Sequence, residues 1–367
     1  MGSTPIRVSR YNSLMHLSSL SLQNFRSFKQ KDFKFSSKTN LILGNNGAGK
    51  TNLLEAIDLL TSGTSFRQVS LSKLIHWQQS FTTIQTALNQ AGDSTKLEVQ
   101  LIKRPDFASI SRKFLIADNP KTRKEFLGTL KTVIFFPEDI RLTTGSPGRR
   151  RRFLDSVFTG IDWRYSQSLT QYTKALNHRN ELLDQIRQNQ SSPKELWFWD
   201  QSLIKNDEII HKFRQLFINF ANQFFQKHPH SEIQKIFLNY QPRPLSPVVL
   251  QKNYSLDLKR GYTQSGNHRD DFSFDSFIFP DPDKNLANWG SRGQQRLAVL
   301  ALRLAQIEFI KFQKKQNPVL LLDDIFSELD DNHRRLVGQV SSNHQTFFTS
   351  SEDNVASFLN SPHLIKL

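Results

Sequence analysis

The segment Gly44–Thr51, with the sequence GNNGAGKT, fits the phosphate-binding pattern G-x-x-x-x-G-K-[ST] at every fixed position. Its glycines allow backbone N–H groups to turn inward on phosphates, Lys50 neutralises the β and γ charges, and Thr51 offers its hydroxyl to Mg²⁺. We therefore expect ATP or GTP to bind here with Mg²⁺. The expected nucleotide contacts in this loop are Gly44, Asn45, Asn46, Gly47, Ala48, Gly49, Lys50, Thr51 and Asn52.

A second part of the same site is expected near the far end of the chain, at Val319–Asp324. Asp323 follows four apolar residues, as a carboxylate that holds the Mg²⁺ shell does, and Asp324 stands where a carboxylate would orient water. Lys50, Asp323 and Asp324 are the candidate catalytic residues, and Thr51 and Asp323 are the candidate metal ligands. Taken alone, the two aspartates could also cap a helix.

A third candidate element is Ser291–Arg296, with the sequence SRGQQR, which precedes an apolar stripe at helical spacing. Ser291, the flexible Gly293 and Gln294 would stand at a helix N-terminus, where backbone N–H groups and the helix dipole favour an anion. The segment resembles the signature sequence of ABC-type ATPases, and this implies that it contacts the γ-phosphate bound by the opposite subunit. By itself the pattern is also that of an ordinary helix cap.

Hydrophobic periodicity predicts the elements that position these residues. Leu41–Leu43 is typical of a strand before the phosphate loop, and the apolar residues from Leu53 to Leu60 recur at helical spacing after it. Prolines and turn residues divide the rest of the chain. The other predicted elements are strands within 17–35, 81–117, 272–279, 319–322 and 346–348, a helical pair within 165–228 that is broken at Ser191–Pro193, a loop at 241–253 and a helix at 294–312.

Composition favours a polyanionic partner. The chain carries 49 Lys and Arg against 33 Asp and Glu, a formal net charge of +16, which makes nucleic acid the first candidate, although an ordinary solvated surface can carry the same charge. It contains no Cys, so disulfides and thiolate chemistry are excluded. The apolar runs are too short to span a bilayer, and we expect a soluble cytoplasmic protein with an N-terminal extension at 1–14.

Other segments carry sequence patterns beyond the nucleotide motifs. Asn24–Phe28 looks like the arginine-bearing loop of SMC-like ATPases, which implies that Arg26 reaches the nucleotide phosphates, although it could be a surface residue. Ser327–Asp330 looks like the D-loop, whereas Thr349 stands where a switch His is usual. Four further blocks are Phe135–Asp139, Gly145–Pro147, Arg151–Asp155 and Gly266–Asp271. With these blocks the sequence resembles the RecF family of bacterial DNA-repair ATPases, within the SMC/ABC superfamily.

This resemblance implies an α/β fold of the ABC/SMC-type ATPase head. We expect a first lobe with a mixed sheet at 15–130 and 313–367, and a mainly helical second lobe with a short helical-hairpin insertion at 131–312. The resemblance also implies an ATP-dependent homodimer with weak DNA-dependent ATPase activity. Such a protein binds single-stranded or gapped DNA and helps RecO and RecR load RecA in gap repair and the SOS response.

Two alternatives remain open from the sequence. The signature and D-loop patterns also occur in nucleotide-binding subunits of ABC transporters. A noncatalytic scaffold that binds ATP and DNA is the other alternative, because Asp324 replaces the usual catalytic glutamate and Thr349 the usual His. Slow hydrolysis is expected for the same reason. The run Arg149–Arg152 could contact DNA phosphates or serve carboxylates within the chain.

Overall fold

The computed structural model describes residues 15–67, 69–104, 109–280, 282–328 and 331–367. The chain divides into two compact units. The first contains the residues up to Pro137 and from Ile310 onward, and the second is Glu138–Phe309. The expected extension at 1–14 lies outside the described residues.

The strands account for most of the regular structure in the first unit. In chain order they are β1 (His16–Phe25), β2 (Phe28–Lys34), β3 (Thr39–Leu43), β4 (Phe81–Gln90), β5 (Asp93–Lys103), β6 (Ile110–Ile116), β7 (Asn119–Lys121), β8 (Thr132–Phe135), β9 (Ile236–Gln241), β10 (Asp271–Ser276), β11 (Val319–Leu322), β12 (Thr346–Ser350) and β13 (His363–Lys366). β9 and β10 form a separate antiparallel pair in the second unit.

The helices dominate the second unit. The helices of both units, in chain order, are α1 (Lys50–Ser62), α2 (Arg123–Phe126), α3 (Arg141–Thr144), α4 (Pro147–Phe158), α5 (Trp163–Arg187), α6 (Leu196–Lys227), α7 (Ser231–Gln234), α8 (Pro247–Arg260), α9 (Leu286–Trp289), α10 (Arg292–Lys314) and α11 (Asp331–Ser341). Of these, α1, α2 and α11 belong to the first unit. Within the described ranges, none of these helices has the length and apolar character needed to cross a bilayer.

A parallel sheet in the first unit has the strand order β13-β3-β12-β11-β8. β3, β11 and β12 are buried along their whole length, which explains why a run such as Val319–Leu322 lacks polar alternation. Neighbouring parallel strands end at the same edge of a sheet. Gly44, which follows β3, and Asp323, which follows β11, therefore lie at the same edge of the sheet, with β12 between their strands, although they are far apart in sequence.

One domain boundary differs from the expectation. From the family resemblance we expected 131–312 in the second lobe, but β8 pairs with β11, with Thr132 opposite Val319, and so belongs to the first unit. The boundary falls after Pro137. A four-residue strand has no periodicity of its own, and this one merges in the sequence with the block that follows it.

The other sheet of the first unit is antiparallel, with the order β2-β1-β4-β5-β6-β7. β4 alternates buried and half-buried residues, which is the pattern of a strand with one face on the core. That core includes Leu20, Ile84 and Val99 of the sheet together with Leu54 and Ile57 of α1. We expected one mixed sheet in this lobe. The parallel and the antiparallel strands instead form two separate sheets.

The second unit contains the predicted helical hairpin, made of α5 and α6. Ser192 begins the connection, and its side chain accepts a hydrogen bond from the Lys194 N–H before α6 starts. At the other end of the hairpin the core is aromatic, and the Phe158 ring packs edge-on against Phe217 and Phe309. Such contacts stabilise the unit without requiring polar partners.

The segment predicted as a loop at 241–253 is only partly irregular, because α8 begins at Pro247. The Ser246 hydroxyl accepts a hydrogen bond from the Val249 N–H at 3.2 Å, and Pro247 occupies the first helical turn, where its missing N–H costs nothing. Pro247 thus starts a helix, whereas the three prolines of this segment predicted only a break. The strand predicted within 272–279 ends at Ser276.

The block Gly266–Asp271 is a structural ion-pair centre of the second unit. The Asp270 carboxylate is fully buried and accepts hydrogen bonds from His211 at 2.9 Å, from Arg214 at 2.8 Å and from Tyr240 at 2.7 Å. These partners lie on α6 and β9. A buried carboxylate needs such compensation, and removal of one partner leaves an uncompensated charge.

The arginine run at 149–152 lies on α4 and is partly used within the chain. Arg150 is buried and donates two hydrogen bonds, at 2.6 and 2.8 Å, to the Asp271 carboxylate. Arg151 donates to the Asp270 backbone carbonyl at 2.9 Å. For these two residues, the interpretation as intramolecular carboxylate and carbonyl partners fits better than DNA contact.

Candidate nucleotide-binding site

The phosphate loop connects β3 to α1 and requires glycine at two positions. Gly47 has φ +86° and Gly49 has φ +105°, in the left-handed region that side chains disfavour. A Cβ on Gly49 would also lie 2.9 Å from the ring of Phe28. Lys50 starts α1, so the N-terminal N–H groups of this helix are available for phosphate oxygens.

The Lys50 side chain folds back over its own loop. Its ammonium donates hydrogen bonds to the carbonyl oxygens of Gly44 at 2.6 Å and Asn45 at 3.1 Å, and the residue is 9% exposed. A buried ammonium held by two neutral carbonyls lacks a counter-ion in these contacts. An anionic phosphate would supply that missing negative charge.

Asp323 joins the two distant halves of the site. Its Oδ1 accepts a hydrogen bond from the Thr51 hydroxyl at 3.0 Å and one from the Thr349 hydroxyl at 2.7 Å. Octahedral Mg²⁺ with oxygen ligands at about 2.0–2.1 Å places adjacent ligands about 2.9–3.0 Å apart. The Thr51 and Asp323 oxygens therefore have a separation that suits two neighbouring positions on Mg²⁺.

Asp324 follows in an unusual backbone conformation. Its φ is +48°, and its backbone N–H donates to the Thr349 hydroxyl at 2.9 Å. Left-handed backbone at a non-glycine residue costs roughly 1–2 kcal/mol and is concentrated at functional sites. The water-orienting role of Asp324 stays a prediction.

Arg26 is paired with Glu55 of α1. Its guanidinium donates to both carboxylate oxygens at 2.8 Å, and Nη1 donates to the Lys73 carbonyl at 3.1 Å. Glu55 is fully buried, so this bidentate ion pair fixes the turn between β1 and β2 against the helix that follows the phosphate loop. Contact between Arg26 and the nucleotide phosphates stays a prediction.

Asn52 bonds to protein groups on two sides. Its amide Nδ2 donates to the Ser27 hydroxyl at 3.0 Å, and its Oδ1 accepts from Arg67 Nη1 at 3.1 Å. Arg67 also lies 3.6 Å from Glu55, which accepts a further hydrogen bond from the Ser65 hydroxyl. Asn52, predicted as a nucleotide contact, therefore lies in a polar network beside the phosphate loop.

A second buried acid lies one turn further along α1. Burial raises the pKa of Asp58 to about 7, and hydrogen bonds from Thr132, Ser62 and Thr61 only partly offset that effect. The Thr132 hydroxyl on β8 is 3.1 Å from Oδ1 of Asp58. Asp58 is consequently a structural group that ties α1 to the parallel sheet.

The predicted signature segment lies in the second unit and caps α10. The Ser291 hydroxyl accepts from the Gln294 N–H at 3.3 Å, and the Gln294 side chain accepts from the Ser291 N–H at 2.8 Å. This reciprocal arrangement is a capping box. Gly293, with only Ser291 Oγ near a hypothetical Cβ, leaves open space at the helix end. Ser291 therefore caps α10, as one of the two interpretations expected. Binding of an anion at this helix end stays a prediction.

Comparison with known proteins places this geometry in a family. The family model for the RecF/RecN/SMC N terminal domain matches residues 16–363. The DNA replication and repair protein RecF of Natranaerobius thermophilus is 34% identical over 92% of this chain and 91% of its own length. The chain belongs to the RecF family.

Two solved structures of the recombination mediator protein RecF in the RecFOR pathway share the fold. One, of RecF-ATPrS, superposes with a TM-score of 0.85 at 30% identity and covers 98% of both chains. The other, of RecF-ATP, has a TM-score of 0.82 at 30% identity and covers 95% of both. These likenesses confirm the predicted fold class, an α/β ATPase head with a second, mainly helical lobe.

The sequence motifs predicted Lys50, Thr51 and Asp323 together but did not indicate two charged residues in the polar network beside the phosphate loop, Glu55 and Arg67. The sequence did contain a signal for Glu55. It is an acidic residue on the apolar, inward-facing side of α1, and a buried acid there needs a partner. Arg67 follows a stretch without clear periodicity. The predicted D-loop at Ser327–Asp330 lies partly outside the described residues.

Proposed function

We propose that this RecF-family chain is an ATP-dependent, DNA-binding recombination mediator in DNA replication and repair. ATP with Mg²⁺ would bind at the loop Gly44–Thr51. The observation that carries the proposal is the 3.0 Å contact between the Thr51 hydroxyl and the Asp323 carboxylate, together with the Lys50 ammonium, which among the described residues donates its hydrogen bonds to two neutral carbonyls. The two related structures named for RecF-ATP and RecF-ATPrS support ATP as the nucleotide.

Each side chain of the site has a role in this proposal. Lys50 moves from the loop carbonyls to the β and γ oxygens, and Thr51 and Asp323 hold Mg²⁺. Bound Mg²⁺ neutralises charge on the phosphates and orients them for displacement. Asp324 would orient the attacking water. Asp324 would do this without help from Thr349, because the Thr349 hydroxyl is already used in two hydrogen bonds. A single group that orients the water supports slow hydrolysis.

The signature helix extends the proposal to a homodimer. Ser291, Gly293 and Gln294 would complete the nucleotide site of a second copy, because the N-terminus of a helix carries a partial positive charge that favours the γ-phosphate. ATP would then hold two subunits together, and hydrolysis would release them. The signature and D-loop patterns, which suggested a transporter subunit as an alternative, are accounted for by membership in the RecF family.

The net charge of +16 supports DNA as the polyanionic partner. By resemblance, the ATP-bound dimer would bind single-stranded or gapped DNA and act with RecR and RecO in loading RecA, in gap repair and the SOS response. Weak DNA-dependent ATPase activity belongs to the same proposal. ATP turnover measured with and without gapped DNA tests that part.

Light scattering and gel shift with and without ATP and Mg²⁺ test the core of the proposal. Wild type should double in mass and bind DNA more tightly with ATP, and unchanged mass and DNA affinity would contradict this. Lys50→Ala should abolish ATP binding, whereas Ser291→Ala should keep ATP binding and lose the dimer.

Ser246→Ala is the matched control for Ser291→Ala, because Ser246 also caps a helix of the second unit. It should lose similar stability, about 1 kcal/mol, and still dimerise. If both cap variants lose dimerisation equally, the effect is one of stability, and the cross-subunit role of Ser291 is wrong.

A further inference from the structure

Trp77 is the most exposed large apolar side chain among the residues that the structure describes. Its relative exposure is 87%, whereas Leu74 and Ile75, shortly before it in the chain, are buried in the core of the first unit. No ring of the described residues packs against the indole. Burial of an indole is favourable, so this open ring is available to a binding partner.

The turn that carries Trp77 is fixed by hydrogen bonds to its surroundings. The His76 N–H donates to the Asn24 carbonyl at 2.8 Å, and the His76 ring donates from Nδ1 to the Arg26 carbonyl at 2.6 Å. The Gln79 N–H donates to the His76 carbonyl at 3.1 Å and closes the turn. The backbone that carries the indole is therefore ordered before a partner binds, which reduces the entropy lost on binding.

The surroundings of this turn are cationic. The Lys103 ammonium donates to the Gln79 carbonyl at 2.7 Å, so a positive charge lies on the turn itself and is not neutralised by that contact. Lys73, which precedes Trp77 in the chain, is exposed. The segment Leu59–Gly92 contains no Asp or Glu. This part of the surface therefore favours an anionic partner.

An open aromatic ring beside positive charges is the combination that binds single-stranded nucleic acid. The ring stacks on the face of a base, and the cations hold the backbone phosphates. In a duplex the neighbouring base pairs cover these faces and only base edges reach the grooves, so the ring requires an unpaired base. An acidic protein segment would satisfy the lysines, but it offers no planar partner to the indole.

We propose that Trp77 stacks on an unpaired base of single-stranded DNA, while Lys73 and Lys103 contact the neighbouring phosphates. The turn would then distinguish a gap or a single-stranded end from continuous duplex. This inference rests on the proposed function, since it assumes that the chain binds DNA. It adds a contact with a base to the phosphate contacts that the net charge favours.

The test compares Trp77→Ala with Trp197→Ala in the full chain with MgATP, by fluorescence anisotropy of labelled oligothymidylate, gapped duplex and continuous duplex. Trp197 is the matched control, because it is 68% exposed and lies on α6 of the second unit. Trp77→Ala should weaken binding to oligothymidylate and gapped duplex about fivefold or more, and binding to continuous duplex by less than about twofold. Trp197→Ala should leave all three affinities within about twofold of wild type.

Further variants separate stacking from charge. Trp77→Phe keeps a smaller ring, so its affinity for oligothymidylate should lie between those of wild type and Trp77→Ala. Stacking on a base quenches indole fluorescence, and this quenching should be lost in Trp77→Phe and kept in Trp197→Phe. Lys103→Gln keeps a hydrogen-bond donor for Gln79 but removes the charge, so it should make binding less dependent on salt. An unchanged salt dependence would contradict the phosphate contact.

Because the ring is exposed, thermal unfolding of Trp77→Ala should match that of wild type, which checks that the variant folds. Equal affinities of Trp77→Ala and wild type for oligothymidylate, or an equal loss on oligothymidylate and continuous duplex, would overturn base stacking by Trp77. Weakened MgATP binding in a calorimetric titration of Trp77→Ala would show that the ring serves the nucleotide instead. Failure of the wild-type chain to bind any of these DNAs would contradict the proposed function itself, so the two failures are distinguishable.

Discussion

The Thr349 hydroxyl donates a hydrogen bond to the Asp323 carboxylate at 2.7 Å and accepts one from the Asp324 N–H at 2.9 Å. One threonine thus uses both capacities of its hydroxyl on the two acidic residues that follow β11. It fixes the carboxylate that also contacts Thr51. In this chain, position 349 is therefore a structural link between β11 and β12.

Replacing Thr349 by valine should destabilise the first unit. Val has nearly the same shape, but it leaves the Asp324 N–H without its acceptor and Asp323 with one donor fewer. An unsatisfied buried polar group costs about 1–3 kcal/mol. Urea denaturation should show this loss for Thr349→Val and a much smaller one for Thr349→Ser, which keeps the hydroxyl. Equal stability of the Val variant and wild type would contradict the role assigned to the hydroxyl.

Gly49→Ala should cost more stability than Gly47→Ala. Both positions have positive φ, so both variants carry roughly 1–2 kcal/mol of backbone strain. Only at Gly49 does the new methyl meet a neighbour, the Phe28 ring at 2.9 Å, whereas nothing lies within 4 Å at Gly47. Thermal unfolding of the two variants measures the difference. A larger loss for Gly47→Ala would show that the Phe28 contact yields easily.

Asp58→Asn should make the free energy of unfolding less dependent on pH. Burial raises the pKa of Asp58 from 3.8 to about 7, so the stability linked to its protonated form is complete below about pH 4. That stability is lost as the pH rises to about 7. The free energy of unfolding of Asp58→Asn, relative to that of wild type, should therefore rise from pH 4 to 7 and then stay constant. Denaturation at pH 5 and pH 8 gives the comparison, and an equal difference at both would refute the raised pKa.

His211→Gln should have the opposite dependence in the second unit. Burial alone would lower the pKa of His211, but hydrogen bonds to Asp207 and Asp270 outweigh it and raise the pKa from 6.5 to about 9. The charged imidazole therefore stabilises the fold below about pH 6.5, and this contribution is lost as the pH rises through about 9. The stability gap between wild type and His211→Gln should shrink between pH 6.5 and 9.5. A gap that stays constant over this range would mean that His211 is neutral in the folded protein.

Elements with a strong periodicity could be predicted from the sequence, and short or non-local ones could not. Continuous apolar runs identified β3 and β11, and helical spacing identified the hairpin. The strands β8 and β13 have four residues each and show no usable pattern. The helix α8 was missed because Pro247 can end a segment or begin one.

The candidate site divides in the same way. Lys50 and Thr51 belong to a contiguous pattern, whereas the pairing of Arg26 with Glu55 depends on how β1 lies against α1. Charges that meet across 29 residues of sequence leave no local signature. The hydrogen bond between Arg67 and Asn52 likewise joins residues 15 positions apart.

The order of strands in the parallel sheet has a consequence for biosynthesis. β3 leaves the ribosome early, but its two partners, β12 and β13, begin only at Thr346 and His363. During translation the apolar segment Leu41–Leu43 therefore has no strand partner on either edge until these late segments are made, and an unpaired strand edge is a site where chains can aggregate. The residues between Glu138 and Phe309 are contiguous and can complete their own core while the nascent ATPase half is still unfinished.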